Sequence, residues 1–344
     1  MAATTTTIGV PNEIGEGEQR VALVPDVVRS LKLERGVEVI VATGAGYGAG
    51  HADEEYEDAG AGIVWQEDSL AADVVLAVGP PPAKVVERLR ARQGQVLISH
   101  LDPWAAAETN RMLAAAGVTS FAIEAIPKTP RAQSMDALAS QATAAGCAAV
   151  FMAAQESTPF FAMLDAAADA LAPARVLVLG SGNASLQAST TARRLGAIVT
   201  VFDADAEGEE VRAALAEAIA AQDVVVTDVT TPGCSAPLMI TAEAARGMAS
   251  GSVIVDLAAD AGGNCELTKP GETVVEAGVK VLGPRNPASR MPVAASRLYA
   301  RNLERLLALM VSEEGELKVD FDDDILAAAC ITAGGEIRNE RAAR

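Results

Sequence analysis

Two histidines, His51 and His100, and four cysteines, Cys147, Cys234, Cys265 and Cys330, are all the chain has of the commonest metal-binding side chains. No two of them stand at metal-ligand spacing, which excludes a zinc-type centre and leaves no metal site expected. The cysteines are unpaired in spacing as well, so the thiols read as free groups of a reducing compartment, three of them in apolar or small-residue surroundings. Basic residues are few, 27 Lys and Arg against 46 Asp and Glu, for a net charge of −19. Phosphate backbones and anionic membrane surfaces repel such a chain, so nucleic acid is excluded as a partner. No uninterrupted apolar run is expected to span a bilayer. The opening Met-Ala-Ala-Thr-Thr-Thr-Thr lacks the basic and apolar regions of a secretion signal, so a cytoplasmic location without direct membrane insertion is expected.

What is present is apolar and regular. Half of the 344 residues are hydrophobic, enough for two domains with buried cores. Apolar runs at Thr6–Val10, Val37–Ala42, Val74–Val78 and Val96–Ile98 read as buried strands. Helical patterns alternate with them at about Pro25–Leu33, Asp53–Asp58, Ala83–Arg92 and Trp104–Ala116. Such alternation predicts a parallel sheet covered on both faces. A long Ala-rich helix follows over 134–156, with a second helical run to Leu171. Further strands are predicted at Val224–Thr227, Ser252–Asp256 and Val279–Leu282, then a long amphipathic helix over Val293–Met310 and a strand-like Glu316–Phe321. The expected fold class is α/β: two Rossmann-like doubly wound parallel-sheet domains joined by long helices, the second with a shortened sheet. The expected division is 1–133 with 311–344, and 134–310. The acidic run Asp320–Asp324 reads as a solvated face without function.

The most informative stretch is Arg175-Val-Leu-Val-Leu-Gly180-Ser-Gly182-Asn183-Ala184-Ser185, followed by a second strand that ends on Asp203. Strand, glycine turn, helix, strand and acid is the layout of a dinucleotide site. Gly180 and Gly182 let the backbone approach a pyrophosphate, the helix start at Asn183 and Ala184 stabilises its charge, and Asp203 bonds the adenosine ribose. Ser185 stands where the fingerprint has its third glycine. A plain tight βα turn would carry the same glycines.

Ligands of open α/β sheets lie beyond the carboxyl ends of the strands. Two further loops qualify there: Asp228-Val-Thr-Thr-Pro232-Gly233-Cys234, and Leu257-Ala-Ala-Asp-Ala-Gly262-Gly263-Asn264-Cys265. Asn264 offers both a donor and an acceptor to a carboxamide. Each of these also reads as an ordinary βα turn. A third candidate is Lys128-Thr-Pro-Arg131-Ala-Gln133-Ser134-Met-Asp136, polar groups crowded at the start of an apolar helix. Capping explains Ser134 and Asp136 but leaves Arg131 and Gln133 facing a ligand. His100 follows a strand but has no evident acid beside it, so it reads as structural.

At these residues a family resemblance becomes visible. Ile8-Gly-Val-Pro-Asn-Glu13…Glu18-Gln-Arg20-Val-Ala-Leu-Val-Pro25 resembles the opening of the alanine dehydrogenase / nicotinamide nucleotide transhydrogenase family. Arg131-Ala-Gln-Ser-Met-Asp-Ala-Leu-Ala-Ser-Gln141, Gly251-Ser-Val-Ile-Val-Asp-Leu-Ala…Gly262-Gly-Asn-Cys265 and Ser289-Arg-Met-Pro…Asn302-Leu are similar to its transhydrogenase branch. The resemblance covers nearly the whole chain. It implies an NAD(H)-binding component of a proton-translocating transhydrogenase, a homodimer. Such a component hands hydride from NADH to NADP+ on a partner subunit, alongside a membrane-embedded subunit, and lies peripheral to the inner face of the cell membrane. It implies that the segment holding Lys128, Arg131, Gln133 and Asp136 positions the nicotinamide. The implied cofactor contacts are Gly180, Gly182, Asn183, Ala184, Asp203, Gly233, Gly262 and Asn264. Direct hydride exchange requires orientation and exclusion of water rather than an acid or base of this chain.

The chain departs from the branch at Lys128, where an arginine is usual, at Ala139 for a serine, at Ser185, and at Cys234 for a lysine. Between Asp203 and Val224 there is room for one helix only, so a further strand and a mobile covering loop are expected to be missing. A weakened or non-catalytic NAD(H)-binding member is therefore the alternative. A stand-alone alanine-type dehydrogenase ranks lower, because Ala77 takes the place of that branch's substrate-binding lysine.

Overall fold

A computed structural model describes residues 5–89, 94–159, 161, 172–202, 209–230 and 234–343. The chain divides into two compact units, Met1–Ser140 with Pro292–Arg344, and Gln141–Met291.

The first unit is laid down as β1 (Thr7–Val10), α1 (Pro25–Arg35), β2 (Glu38–Ala42), α2 (Asp53–Asp58), β3 (Gly62–Val64), α3 (Gln66–Ser69), β4 (Val74–Leu76), α4 (Ala83–Leu89), β5 (Val96–Ser99), α5 (Ala107–Ala115) and β6 (Thr119–Ala122). Local chemistry sets several of these limits. Pro25 sits in the first turn of α1, where its missing N–H costs nothing, and Gly36 ends that helix in the left-handed region at φ 61°. Among the described residues, β1 to β6 stand in the order β3-β2-β1-β4-β5-β6, all parallel. This is the complete doubly wound order, with its switch point between β1 and β4. The strands β3 and β6 escape notice in the sequence; β3 is three residues long, too short to establish a period.

The helix α6 (Ala137–Glu156) leads toward the second unit. Contrary to the sequence expectation, this helix is long and apolar enough to cross a bilayer by length and composition alone. Ala144, Ala145, Ala148, Ala149 and Val150 are nonetheless buried in the protein, so its apolarity serves packing. The predicted helical run from there to Leu171 falls mostly outside the described residues.

The second unit runs β7 (Arg175–Leu179), α7 (Asn183–Arg194), β8 (Ile198–Phe202), α8 (Glu209–Ala220), β9 (Val224–Thr227), α9 (Ala242–Arg246), β10 (Val253–Asp256), β11 (Thr273–Glu276) and β12 (Val279–Leu282). Its sheet has the order β11-β12-β10-β9-β7-β8, parallel except for β11 at one edge. Relative to the first sheet, the counterpart of β3 is missing among the described residues, and β8 ends the sheet. The shortened second sheet predicted from the interval before Val224 is thus present, with α8 as the helix within it. As an edge, β8 leaves Ile198 and Val201 about half exposed, at 57% and 47%.

The chain then returns to the first unit as α10 (Pro292–Leu307), α11 (Asp324–Ala329), β13 (Cys330–Ala333) and β14 (Glu336–Ile337). β13 adds antiparallel to β6, and β14 to β13. The strand expected at Glu316–Phe321 does not form; Leu317 makes a single bridge to Val311 instead. Its alternate apolar residues, Leu317, Val319 and Phe321, nonetheless pack against the core of the first unit.

Two close approaches fix the regions where the strands end. In α6, a Cβ on Gly146 would lie 2.1 Å from the carbonyl oxygen of Ala184, so α6 crosses the first turn of α7 at backbone contact. In the first unit, the Glu13 carboxylate accepts hydrogen bonds from the N–H groups of Val78 (2.6 Å) and Gly79 (3.2 Å), joining the loops after β1 and β4 across the switch point. Burial pushes Glu13 up to about 7, against those two bonds.

Gly146→Val is expected to destabilise the protein by about 2 kcal/mol or more in urea unfolding, since neither backbone can retreat. For Glu13 the folded form has the higher pKa, so its contribution is present below about pH 4.5 and disappears as pH rises through about 7. The stability of Glu13→Gln relative to the native chain should therefore rise by up to about 3 kcal/mol between pH 4.5 and 7.5; a pH-independent difference would contradict the buried clasp.

Candidate functional site

β7 ends at Leu179 and α7 begins at Asn183, so three residues turn the chain at the carboxyl edge of the second sheet. Gly180 takes φ 114°, and a Cβ there would lie 2.9 Å from the Ser185 hydroxyl and 3.0 Å from the Asp228 carbonyl oxygen. Both backbone angle and space therefore require glycine. Its N–H donates to the Phe202 carbonyl, holding the turn against β8 (3.0 Å). Gly182 is the N-cap of α7 without a side chain to offer, so the first N–H groups of the helix are left for an external acceptor. Asn183 is exposed beside it, whereas Ala184 is buried. Ser185 is buried too, and its hydroxyl donates to the Leu179 carbonyl at 3.4 Å. The residue in the third-glycine position thus bonds the helix to the strand it follows.

Across the switch point of this sheet stands the end of β9. The Asp228 N–H donates to the Leu179 carbonyl (3.1 Å), and its Oδ2 lies 3.6 Å from where a Cβ on Gly182 would be. Burial, with the Asp256 charge as the second cause, pushes the Asp228 carboxyl up to about 6. Asp228 opens one of the loops that the sequence offers as candidates, but no role is read there for its carboxylate, although its position carries a signal: an acid immediately after four buried strand residues.

Asp256, at the end of β10, is fully buried and accepts from the N–H groups of Ala258 (3.0 Å), Asn264 (2.7 Å) and Cys265 (3.0 Å) and from the Thr268 hydroxyl (2.6 Å). Asn264 is occupied to the same degree. Its Oδ1 accepts from the Thr227 hydroxyl (2.8 Å) and the Val229 N–H (3.0 Å). Its Nδ2 donates to the carbonyls of Val229 (2.8 Å) and Pro237 (2.9 Å). Asn264 is expected from the sequence to offer its amide to a ligand; in the structure both amide hydrogens are spent on the loop after β9. Gly262 does face open space, at φ 105° with no atom within 4 Å of its would-be Cβ. Asp203 and Gly233 lie outside the described residues.

The Lys128–Asp136 segment belongs to the first unit. Lys128 and Gln133 are exposed, Gln133 opening a short 3-10 turn. Arg131, expected to face a ligand, is ion-paired with both Asp323 and Asp324, a tie that holds Asp323 below the usual carboxylate range. The acidic run read as functionless thus anchors this arginine. Capping of α6 falls to Asp136, whose Oδ1 accepts from the Ala139 N–H (2.9 Å). Ser134, the predicted cap, contributes only its carbonyl, which accepts from Asn302 (2.9 Å).

A second polar cluster lies at the switch point of the first sheet. Arg20 is paired with Glu18 at 2.6 Å, and Tyr299 donates to the Ala77 carbonyl (2.8 Å). The His100 ring stacks on Tyr299 at 5.4 Å with its Nδ1 3.7 Å from Glu124 Oε1. Burial raises the Glu124 pKa, but the hydrogen bond and charge of His100 outweigh it and the net shift is downward. His100 therefore has the acid partner that the sequence does not reveal. Of the thiols, Cys265 and Cys330 are buried and pushed up to about 11, while Cys147 is half-buried and Cys234 exposed.

Comparison with known proteins agrees with this architecture. The family descriptions "Alanine dehydrogenase/PNT, N-terminal domain" and "Alanine dehydrogenase/PNT, C-terminal domain" match residues 9–145 and 149–340. The chain is 38% identical to the first part of the NAD(P) transhydrogenase alpha subunit of Rhodospirillum rubrum, covering 96% of this chain and 97% of that one. That alignment runs over 377 positions against a chain of 344, so the relative carries residues with no counterpart here. Alanine dehydrogenase of Bacillus subtilis is 32% identical over 98% of this chain and 94% of its own. Among solved structures, a transhydrogenase from Sinorhizobium meliloti superposes with a TM-score of 0.90 at 38% identity, covering 96% of this chain and 99% of that one. With both halves matched and the architecture shared, the chain belongs to the alanine dehydrogenase/PNT family.

Proposed function

We propose that this protein is the NAD(H)-binding component of a proton-translocating NAD(P) transhydrogenase, passing hydride to NADP+ held by a partner subunit. The observation that carries the reading is the turn at Gly180–Gly182. Its positive φ, the exclusion of any side chain and the open helix start are what a pyrophosphate requires of a backbone. The names of the transhydrogenase relatives support the choice of reaction. Bound NADH supplies the hydride; the chain supplies position. In this reading the N–H groups of Asn183 and Ala184 take the phosphates, and Gly262 admits the nucleotide close to the backbone. Asp203 holds the adenosine ribose, which selects NAD(H), and Gly233 contacts the cofactor. Lys128, Gln133 and Asp136 hold the nicotinamide, with Arg131 buttressed by its two aspartates. The component works as a homodimer with a membrane-embedded subunit and an NADP(H)-binding subunit, in the cytoplasm at the inner face of the membrane.

A second reading, a family member that binds NAD(H) weakly and no longer transfers hydride, is favoured by the sheet that stops at β8 and by the spent amide of Asn264. A dehydrogenase acting on alanine is disfavoured. Ala77 places no cation at the first switch point, and Arg20 is already paired with Glu18.

Titration of the intact chain with NADH, NADPH and L-alanine plus NAD+ separates these readings. NADH fluorescence should respond, NADPH should not, and alanine should produce no NADH. Gly180→Val should abolish the NADH response while circular dichroism stays native. A Kd of about 10 µM or weaker favours the second reading, and a tighter one with transhydrogenation in the presence of partner subunits eliminates it.

A further inference from the structure

The carboxylate of Asp228 stands beside Gly182, the N-cap of α7. The first-turn N–H groups of α7 and its dipole attract negative charge, and that turn carries no acid of its own. The Asp228 Oδ2 nevertheless lies 3.6 Å from the Cβ position of Gly182, the N-cap. Among the described residues no hydrogen bond to this carboxylate is formed, in contrast to Asp256 with its four donors. We propose that Asp228 gates the glycine turn by its protonation state, so that a dinucleotide pyrophosphate binds only when Asp228 is neutral and each binding event takes up one proton. This rests on the reading of the turn as the pyrophosphate site.

The electrostatics around Asp228 are one-sided. β7 ends against it in Leu179 and Gly180, without charge. α7 presents its uncharged first turn. From β10 the charged group is Asp256, which accepts at both oxygens and raises Asp228 further. Burial and Asp256 together bring Asp228 up to about 6, so at neutral pH it is mostly ionised and a small step in pH changes its state. Adding two phosphate charges at short range, where the local dielectric is low, raises its proton affinity further. The gate is thus local: the same proton that removes repulsion at Gly182 also leaves the carboxyl free to donate.

The test is calorimetric titration of the intact chain with NADH from pH 6.0 to 8.5, in two buffers of different ionisation enthalpy, for the native chain, Asp228→Asn and Asp228→Ser. For the native chain the Kd should rise about tenfold for each pH unit above 7, with about one proton taken up per nucleotide. Both variants should bind NADH more tightly than the native chain at pH 8, with a Kd that hardly changes over the range and no proton uptake. A pH-independent Kd in the native chain overturns the gate. So does a native-like pH slope in both variants, which assigns the proton to another group. Weaker binding by both variants at every pH overturns it too, because the carboxylate then holds the nucleotide instead of repelling it. If all three chains are folded yet none binds NADH at any pH, the reading of the turn as a nucleotide site fails, and the gate with it.

Discussion

The second unit depends on one buried pairing of a carboxylate with a carboxamide. Asp256 and Asn264 sit eight residues apart and are joined through the Asn264 N–H. Asp256 then accepts from backbone groups of the loop after β10, while Asn264 takes the Thr227 hydroxyl and backbone groups of the loop after β9. Irregular backbone at a sheet edge carries N–H and C=O groups that water would otherwise satisfy. Supplying their partners from two fully buried side chains lets three loop segments run close together without solvent. Removing either side chain would strand several groups at once, which is more costly than losing one bond.

That bracket explains why the glycine turn can be open. Gly180 and Gly182 contribute no side chain, so nothing within the turn stiffens it. Rigidity comes from outside: from the Phe202 carbonyl, from the N–H of Asp228 on Leu179, and from α6 lying against Ala184 at Gly146. The polar residues hold the frame, and the contact surface is left to backbone. This division reverses the intuition that the most polar residue of a loop is its ligand contact.

Much of the fold is legible in the sequence because its strands are buried on both faces and read as unbroken apolar runs. β9, β12 and the head of α7 fall where the pattern places them, and the single helix before Val224 announces the shorter sheet. The turn itself is legible because glycine leaves a mark that no packing argument can imitate. What escapes is partnership. Arg131 looks unattached until Asp323 and Asp324, almost two hundred residues later, come beside it. Asn264 has the right groups for a ligand, and only the folded loops reveal that four groups on three neighbours already use them. The Asp228 carboxylate goes unread for the converse reason, since among the described residues no donor reaches it. Sequence reports which groups a residue owns; burial and distant contacts decide which remain available.

Among the described residues the second sheet ends at β8, and this has a physical consequence of its own. β8 ends its sheet with Ile198-Val-Thr-Val-Phe202, uncharged, rich in branched side chains and without proline, and none of the usual local guards of a sheet margin is built into it. Against association there the chain brings long-range repulsion, from the surplus of 19 negative charges over the whole chain. Repulsion of that kind acts over a Debye length and weakens with ionic strength, whereas a lysine on the strand would act at contact. Colloidal behaviour is thereby entrusted to composition, and salt, more than any single substitution, sets how well this margin is protected.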